Sequence, residues 1–570
     1  MCMSLSGAVS TLLSVAVIAG RVVLDAAAVV RCRRRVHLDH DPAAADAPRA
    51  APDPVLEQRR TDTLAHQDVV GRRLVELIGS PRWLAVPPGT AHERQRATMD
   101  AMAARADFIW NAMLPPDLQA GRGGDVDLLV RAKRGGYRPL IVVRHRVSDP
   151  GSGALTSALA EPYVERAQVD QSRRYRNHPR DQLRLAHLTR MLQAVGRAAR
   201  GPAFGAVIGM DADVVLWYEL SVPTWPGGRT TLAEYDARFS DRLAVATAAV
   251  NQAPALASAS QITECRHCVW WPTCEADLTA RSDVSLVLRG EEAAAMRAAG
   301  VATVVELAAL EPTAEPPVVL HGVPFAHAVA LARAWLRGLP VVRRVASVPM
   351  PRADVEVDID MESFGESGAY LWGCLLSVPS GPSVAELLGE PTGYRAFVTW
   401  QPLPTVDEAR SFAQFWGWLT ALRGRCRQHG LSFAAYCYNE QAENRWLLAS
   451  ADRFGGQPGV PGRAEVAEFV ASEQWIDLFA VVSEWFLCAH GKGLKRIAPV
   501  AGFTWADPEA GGENSMRWYR DAVGLDGQPP VLAQRERLLR YNADDVHATR
   551  TLREWMCSPK LAEIPLASDL

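Results

Sequence analysis

Lysine is nearly missing from this chain. Lys133, Lys492, Lys495 and Lys560 are the four among 570 residues, and arginine supplies the rest of the positive charge. The 61 Lys and Arg stand against 64 Asp and Glu, a net charge of −3. No overall basic field therefore draws the chain onto a polyanion, and any such contact must come from local patches. No Gly-x4-Gly-Lys-Ser/Thr segment occurs, which argues against a built-in helicase motor. Long apolar runs are also lacking. Residues 5–19 form the one run near the start, shorter than the ~20 residues that span a bilayer. No Lys or Arg precedes Arg21 to make the basic start of a secretory signal. The expectation is a buried first strand or helix, no membrane partner and a cytoplasmic location, where clustered cysteines favour metal over disulfides.

What the chain does have is length enough for several domains, roughly three to four. Its 48% hydrophobic and 22% charged residues suit globular cores. Three of the ten cysteines, Cys265, Cys268 and Cys274, fall within Glu264-Cys-Arg-His-Cys-Val-Trp-Trp-Pro-Thr-Cys274. Neighbouring thiolates on one turn can converge on a soft metal or an iron–sulfur group. Three are one short of a closed shell, and Cys32, in Val30-Arg-Cys-Arg-Arg-Arg35, is the well-placed fourth. Such a group would staple the start of a domain to its end.

Between these cysteines the patterning predicts a short helix over 24–40 followed by a basic turn, a loop at 42–54, and helices over 63–79 and 92–106. Strands at 108–114, 125–131 and 137–147 follow, then a helix over 180–200 and a strand at 203–209. The framework of Cys32, the strand bearing Asp127, a helix with Gln182-Leu-Arg-Leu-Ala-His187 and the cysteine knuckle resembles RecB-family PD-(D/E)xK nucleases with an iron–sulfur staple. The resemblance covers residues 20–280. It implies a restriction-endonuclease-like α/β fold, a [4Fe–4S] cluster on Cys32, Cys265, Cys268 and Cys274 (zinc being the alternative), and Asp127 as a Mg²⁺ ligand. Residues 137–147 depart from the family: they contain no Asp, Glu or Lys where Glu/Asp-x-Lys belongs. Arg144, His145 and Arg146 stand there instead. His145 can ligate a metal, but Val143 cannot replace the missing carboxylate. The reading is a fold kept without its hydrolysis, with an Arg/His edge left to bind phosphates.

Residues 281–345 read as a small helical module. Glu291–Ala308 looks like a helix-hairpin-helix element around Ala299-Gly-Val301, and His321–Arg337 like a second; a plain helical linker is the alternative. From 350 to 560 the pattern is α/β. Val355-Glu-Val-Asp-Ile-Asp-Met-Glu362 is a strand whose period of two puts Asp358, Asp360 and Glu362 on one face. Carboxylates so placed repel unless a cation lies between them. Strands at 369–377, 396–400 and 433–438 follow, with helices over 406–428 and 444–450, and a helix over 538–555 carries Tyr541-x3-Asp545 on one face.

This set resembles the DEDD exonucleases of the RNase H-like superfamily, in the YprB-type branch. The resemblance implies 3′–5′ exonuclease action with two Mg²⁺ or Mn²⁺ ions on Asp360, Glu362 and Asp545. Tyr541 would position the water and Glu443 would complete the site. Asp477 falls where the family often has an Asp-Leu element, with a purely structural role as the alternative. The implied partners are single-stranded DNA or RNA and a separate helicase. The competing reading is a non-catalytic iron–sulfur or zinc scaffold that binds nucleic acid.

Overall fold

Two long strands joined by a glycine turn, Phe108–Asp117 and Arg122–Arg131, lie within the sheet of the first half of the chain. In the computed structural model, which describes residues 17–79, 82–525 and 527–570, the chain divides into two units, Met1–Ala280 and Arg281–Leu570. Each is a layered α/β arrangement.

The sheet of the first unit has eight strands: β1 (Trp83–Ala85), β2 (Phe108–Asp117), β3 (Arg122–Arg131), β4 (Tyr137–Val142), β5 (Leu155–Ala158), β6 (Gln168–Val169), β7 (Phe204–Ile208) and β8 (Val214–Glu219), in the order β1-β2-β3-β4-β7-β8-β5-β6. β4 and β7 run parallel, joined through α3 (Pro179–Ala194), and α4 (Thr231–Val250) and α5 (Trp271–Ala280) follow later in the chain. Alternation sends Ile109, Leu129, Ile141 and Val207 to the face covered by Leu185, Leu188 and Met191 of α3. Phe108, Leu128, Leu140 and Ala206 go to the other face, against Val70 and Leu74 of α2 (Pro54–Ile78). β4 is buried along its whole length, as a strand covered on both faces must be.

Several sequence expectations shift here. The basic stretch expected as a turn is the first turn of α1 (Arg33–His40), with Cys32 as its N-cap. The helix expected from 63 begins at Pro54. α3 stops at Ala194 rather than 200, because Gly196 takes a left-handed φ of 65°. The strand expected to reach 147 ends at Val142. β5 and β6, too short to show a period, interrupt the expected strand order. Of the apolar run at 5–19, residues 5–16 lie outside the described residues, and Val17–Ile18 form a short exposed strand rather than a buried one.

In the second unit α6 (Glu291–Ala298), α7 (Val304–Ala308) and α8 (Phe325–Leu336) enclose a small core of Met296, Val304, Leu307, Val329 and Ala332. Thr303 and Glu306 cap α7 reciprocally. The main sheet comprises β9 (Val355–Ser363), β10 (Ala369–Ser377), β11 (Gly393–Val398), β12 (Phe433–Cys437) and β13 (Trp475–Asp477) in the order β11-β10-β9-β12-β13. β9 to β11 are antiparallel, whereas β12 and β13 are parallel to β9. Val355, Val357, Ile359 and Met361 pack against α9 (Asp407–Gln428) and α10 (Gln441–Phe454) through Phe412, Phe415, Leu419 and Trp446. The alternate residues of β9 are the acids, and they face α14 (Leu532–Met556) through contacts described below. Among α11 (Leu478–Trp485), α12 (Leu494–Ile497), α13 (Gly512–Val523) and the rest of the described helices, none is long and apolar enough to cross a membrane.

Candidate metal centre

Four acids along one face of β9 pose an electrostatic problem, and α14 meets it in two ways. At one end Arg553, fully buried, pairs with Glu356 and donates from Nη2 to Asp358 Oδ2 at 2.7 Å. Arg352 adds a bond from Nε to Glu356 Oε1 at 2.6 Å. Burial pushes the Asp358 carboxyl up to about 6, with Arg553 opposing it. Asp358 shares its face with Asp360, but the cation that answers it is a guanidinium. At the other end no guanidinium reaches Asp360, Glu362 or Asp545 in any described contact, and their carboxylate oxygens lie within 4.8 Å of one another.

Burial raises all three, and repulsion from Asp545 adds to the rise of Asp360 and Glu362. Asp360 goes well above the usual carboxylate range, Glu362 to about 8, and burial also lifts Asp545. The opposing charge common to the three is Lys495, on α12. A low-dielectric trio of this kind is held ionised by a cation between its members.

Neighbouring side chains fix each carboxylate. Asn542 Nδ2 donates to Asp360 Oδ2 at 2.7 Å, and its Oδ1 accepts from the Tyr394 hydroxyl at 2.8 Å. Ser515 on α13 donates to Glu362 Oε2 at 3.0 Å, and Trp505 Nε1 donates to Asp545 Oδ1 at 2.7 Å. Lys495 Nζ donates to the Tyr541 hydroxyl at 3.0 Å. Burial and the three carboxylates raise the Tyr541 phenol, so it stays protonated. Glu443 sits in the first turn of α10, because that helix begins at Gln441, earlier than its pattern predicts. It is buried, pushed by burial up to about 8, and its Oε2 has no hydrogen-bond partner. Its charge is felt at Asp360, though it lies outside the close trio. Asp477 caps α11, accepting from Phe479 N and Asn439 N, each at 2.8 Å. Sequence reasoning missed Lys495, Asn542, Ser515 and Trp505. The rarity of lysine was the one signal that could have singled out Lys495.

In the first unit Cys32, Cys265, Cys268 and Cys274 line one small cavity, rimmed by Arg34, Arg35, Trp270 and Trp271. Burial raises the thiols of Cys265 and Cys268, and that of Cys274 to about 12, and the sulfurs' charges raise one another. Glu264 accepts from Cys32 N at 2.7 Å and from Arg35 at 3.0 Å, and Trp270 Nε1 donates to Asp39 at 2.7 Å. These bonds close the staple without any metal. The donor set fits a soft group.

Asp127 is engaged otherwise. Its Oδ2 accepts from Val142 N at 2.8 Å and its Oδ1 pairs with Arg184 at 3.0 Å. It belongs to no close group of metal-ligating side chains among the described residues. His145, beyond the end of β4, turns instead to Asp181, at 2.8 Å.

The carboxylates thus gather over the central strand of a mixed five-stranded sheet. Residues 458–557 match the family described as the RNase H superfamily, and the C-terminal part of the chain is RNase H-like. The matched stretch contains Lys495, Trp505, Ser515, Tyr541 and Asp545 but not β9. No curated protein and no solved structure matches the chain.

Proposed function

We propose that the chain is a metal-dependent nuclease that hydrolyses single-stranded DNA or RNA from its 3′ end at Asp360, Glu362 and Asp545. The observation that carries this reading is the convergence of those three carboxylates within 4.8 Å, over the central strand of an RNase H-like domain, with Lys495 opposing the charge of all three. Bound Mg²⁺ or Mn²⁺ supplies an acidified water and charge stabilisation of the departing 3′ oxygen.

The chain's own residues prepare that chemistry. Asp360, Glu362 and Asp545 hold the ions, and Asn542, Ser515 and Trp505 fix their oxygens so that no reorganisation is needed during reaction. Tyr541, anchored by Lys495, positions the attacking water as a protonated donor and acceptor. Glu443, with one oxygen unpartnered, helps to orient a water near Asp360.

The first unit, residues 20–280, is proposed as a RecB-like domain that grips nucleic acid without cutting it, since Asp127 is tied to Arg184 and joins no close group of metal-ligating side chains among the described residues. Cys32, Cys265, Cys268 and Cys274 would hold a [4Fe–4S] cluster as a structural clasp. The α6–α8 module, within residues 281–345, would contribute phosphate contacts.

The test is cleavage of end-labelled single strands by purified protein with Mn²⁺ or Mg²⁺. Shortening from the 3′ end by wild type and none by Asp360→Ala is the expected result. Trimming that persists in Asp360→Ala overturns the assignment. Tight binding without cleavage under either ion favours a scaffold.

A further inference from the structure

The first unit carries a second group of metal-ligating side chains. His145, His178 and Asp181 each place one ligand atom within 4.8 Å of the other two. It lies at the carboxyl ends of the parallel strands β4 and β7, where Val143 N bonds to Ile208 O and Met210 N to His145 O. Open α/β sheets commonly place ligands at that edge.

The local chain builds this arrangement cheaply. His178 is the N-cap residue of α3 and Asp181 lies in its first turn, so two ligands come from one helix start. The strand's break after Val142 turns His145 towards them. His145 Nε2 and Asp181 Oδ2 are 2.8 Å apart, close to the ~3.0 Å edge that bonds of ~2.1 Å at right angles produce. His178 Nε2 is 2.8 Å from the Arg146 carbonyl and donates to it, which leaves Nδ1 with its lone pair free. This is the outer-shell bond that orients a ligating imidazole. The two rings lie 4.1 Å apart, centre to centre. Arg144 and Arg146 are each paired with another acid, Asp62 and Asp211.

A second observation concerns a neighbour of Asp181. The Tyr218 hydroxyl is buried without a hydrogen-bond partner, 9% of the residue being exposed. It lies within the field of Asp181, which adds to the effect of burial in raising the phenol. A bare His145–Asp181 hydrogen bond explains neither this orphaned hydroxyl nor the second imidazole.

We infer that His145, His178 and Asp181 form a binding site for one divalent transition cation of the manganese, iron(II) or zinc class, with open coordination positions. Two imidazoles and one carboxylate select borderline ions, whereas the all-oxygen trio of the second unit suits hard ones. The site does not depend on the proposed nuclease activity.

Ligand type makes the test selective. Mn²⁺ is added to the tag-free full-length protein and its pulsed electron paramagnetic resonance is recorded. Nitrogen modulation of the Mn²⁺ echo is expected in wild type and in Asp360→Asn, because the carboxylate trio contributes no nitrogen. It should vanish in His178→Ala and in His145→Ala. Equilibrium dialysis of Asp181→Asn should show about one equivalent of Mn²⁺ fewer, which gives a second reading if a histidine variant folds poorly. Absence of nitrogen modulation in wild type at saturating Mn²⁺ overturns the site, as does modulation that survives both histidine substitutions.

Discussion

Lys495 donates from Nζ to the Tyr541 hydroxyl at 3.0 Å while lying 4.4 Å above the centre of the same ring. A short helix and a long one, distant in sequence, thus aim a cation and a phenol at one carboxylate trio. Lys495 also opposes the rise of Asp360, Glu362 and Asp545. It is placed to hold Tyr541 still and to balance the site's charge.

If the pair acts as a unit, removing either partner should cost nearly as much as removing both. Lys495→Met and Tyr541→Phe are each expected to lower the Mn²⁺-dependent kcat about 100-fold, within the range for a positioned proton-transfer group. Strand binding should change little. The double variant should fall no more than about threefold below the weaker single one. Losses that multiply in single-turnover assays would show the two to be independent.

Asp358 shares a strand face with Asp360 but has a different task. Because Arg553 already neutralises it, Asp358→Asn should leave cleavage within about threefold of wild type, whereas Asp360→Asn abolishes it. Arg553→Leu strands Asp358 without a counter-charge in a buried place and leaves Glu356 to Arg352 alone, a loss of about 3–5 kcal/mol. Urea denaturation of the metal-free proteins separates these cases. Asp360→Asn should unfold no earlier than wild type, since it removes repulsion from the trio.

That contrast shows what the sequence can and cannot reveal. The period of two along β9 and the i, i+4 spacing of Tyr541 and Asp545 are local, so both faces were legible from residue order. The division of the acids between Arg553 and the trio depends on how α14 crosses the sheet, which no local pattern encodes. Lys495 comes from a four-residue helix, too short to show a period. Cys32 could be grouped with the knuckle because thiolate clustering is chemically distinctive, even at long range. In the first unit the strand through Tyr137–Val142 was legible, but its early end was not. The turn of His145 towards Asp181 therefore could not be anticipated, and neither could the capture of Asp127 by Arg184.

A buried histidine should give the first unit a measurable acid sensitivity. His187 is fully buried, 2.8 Å from the Tyr235 hydroxyl through Nδ1 and 3.1 Å from the Gly123 carbonyl through Nε2. Burial lowers its pKa to about 4. The folded value lies below the unfolded one of ~6.5, so the fold prefers the neutral ring. Its contribution is complete above pH 6.5 and is lost as the pH falls towards 4, a change of about 3 kcal/mol at 1.36 kcal/mol per unit. Calorimetric unfolding across that window should show a steeper decline for wild type than for His187→Gln. Parallel profiles would mean that the ring protonates without opposing the fold.

Gly373 allows a test that separates stability from activity. It is the cross-strand partner of Asp360 on β10. A Cβ at this position would lie 1.6 Å from Asn542 Oδ1, so α14 can approach the sheet here only over a glycine. Gly373→Ala must displace Asn542, breaking its bonds to Asp360 and Tyr394 and shifting the helix that carries Tyr541 and Asp545. The expected outcome is a stability loss of about 1–3 kcal/mol from overpacking and a fall in cleavage of about 100-fold from ligand misplacement. Adding Asn542→Ala removes the clash but not the need for a donor to Asp360. The double variant should therefore regain most of its thermal stability while cleavage stays low. If stability and cleavage return together, Asn542 serves packing alone.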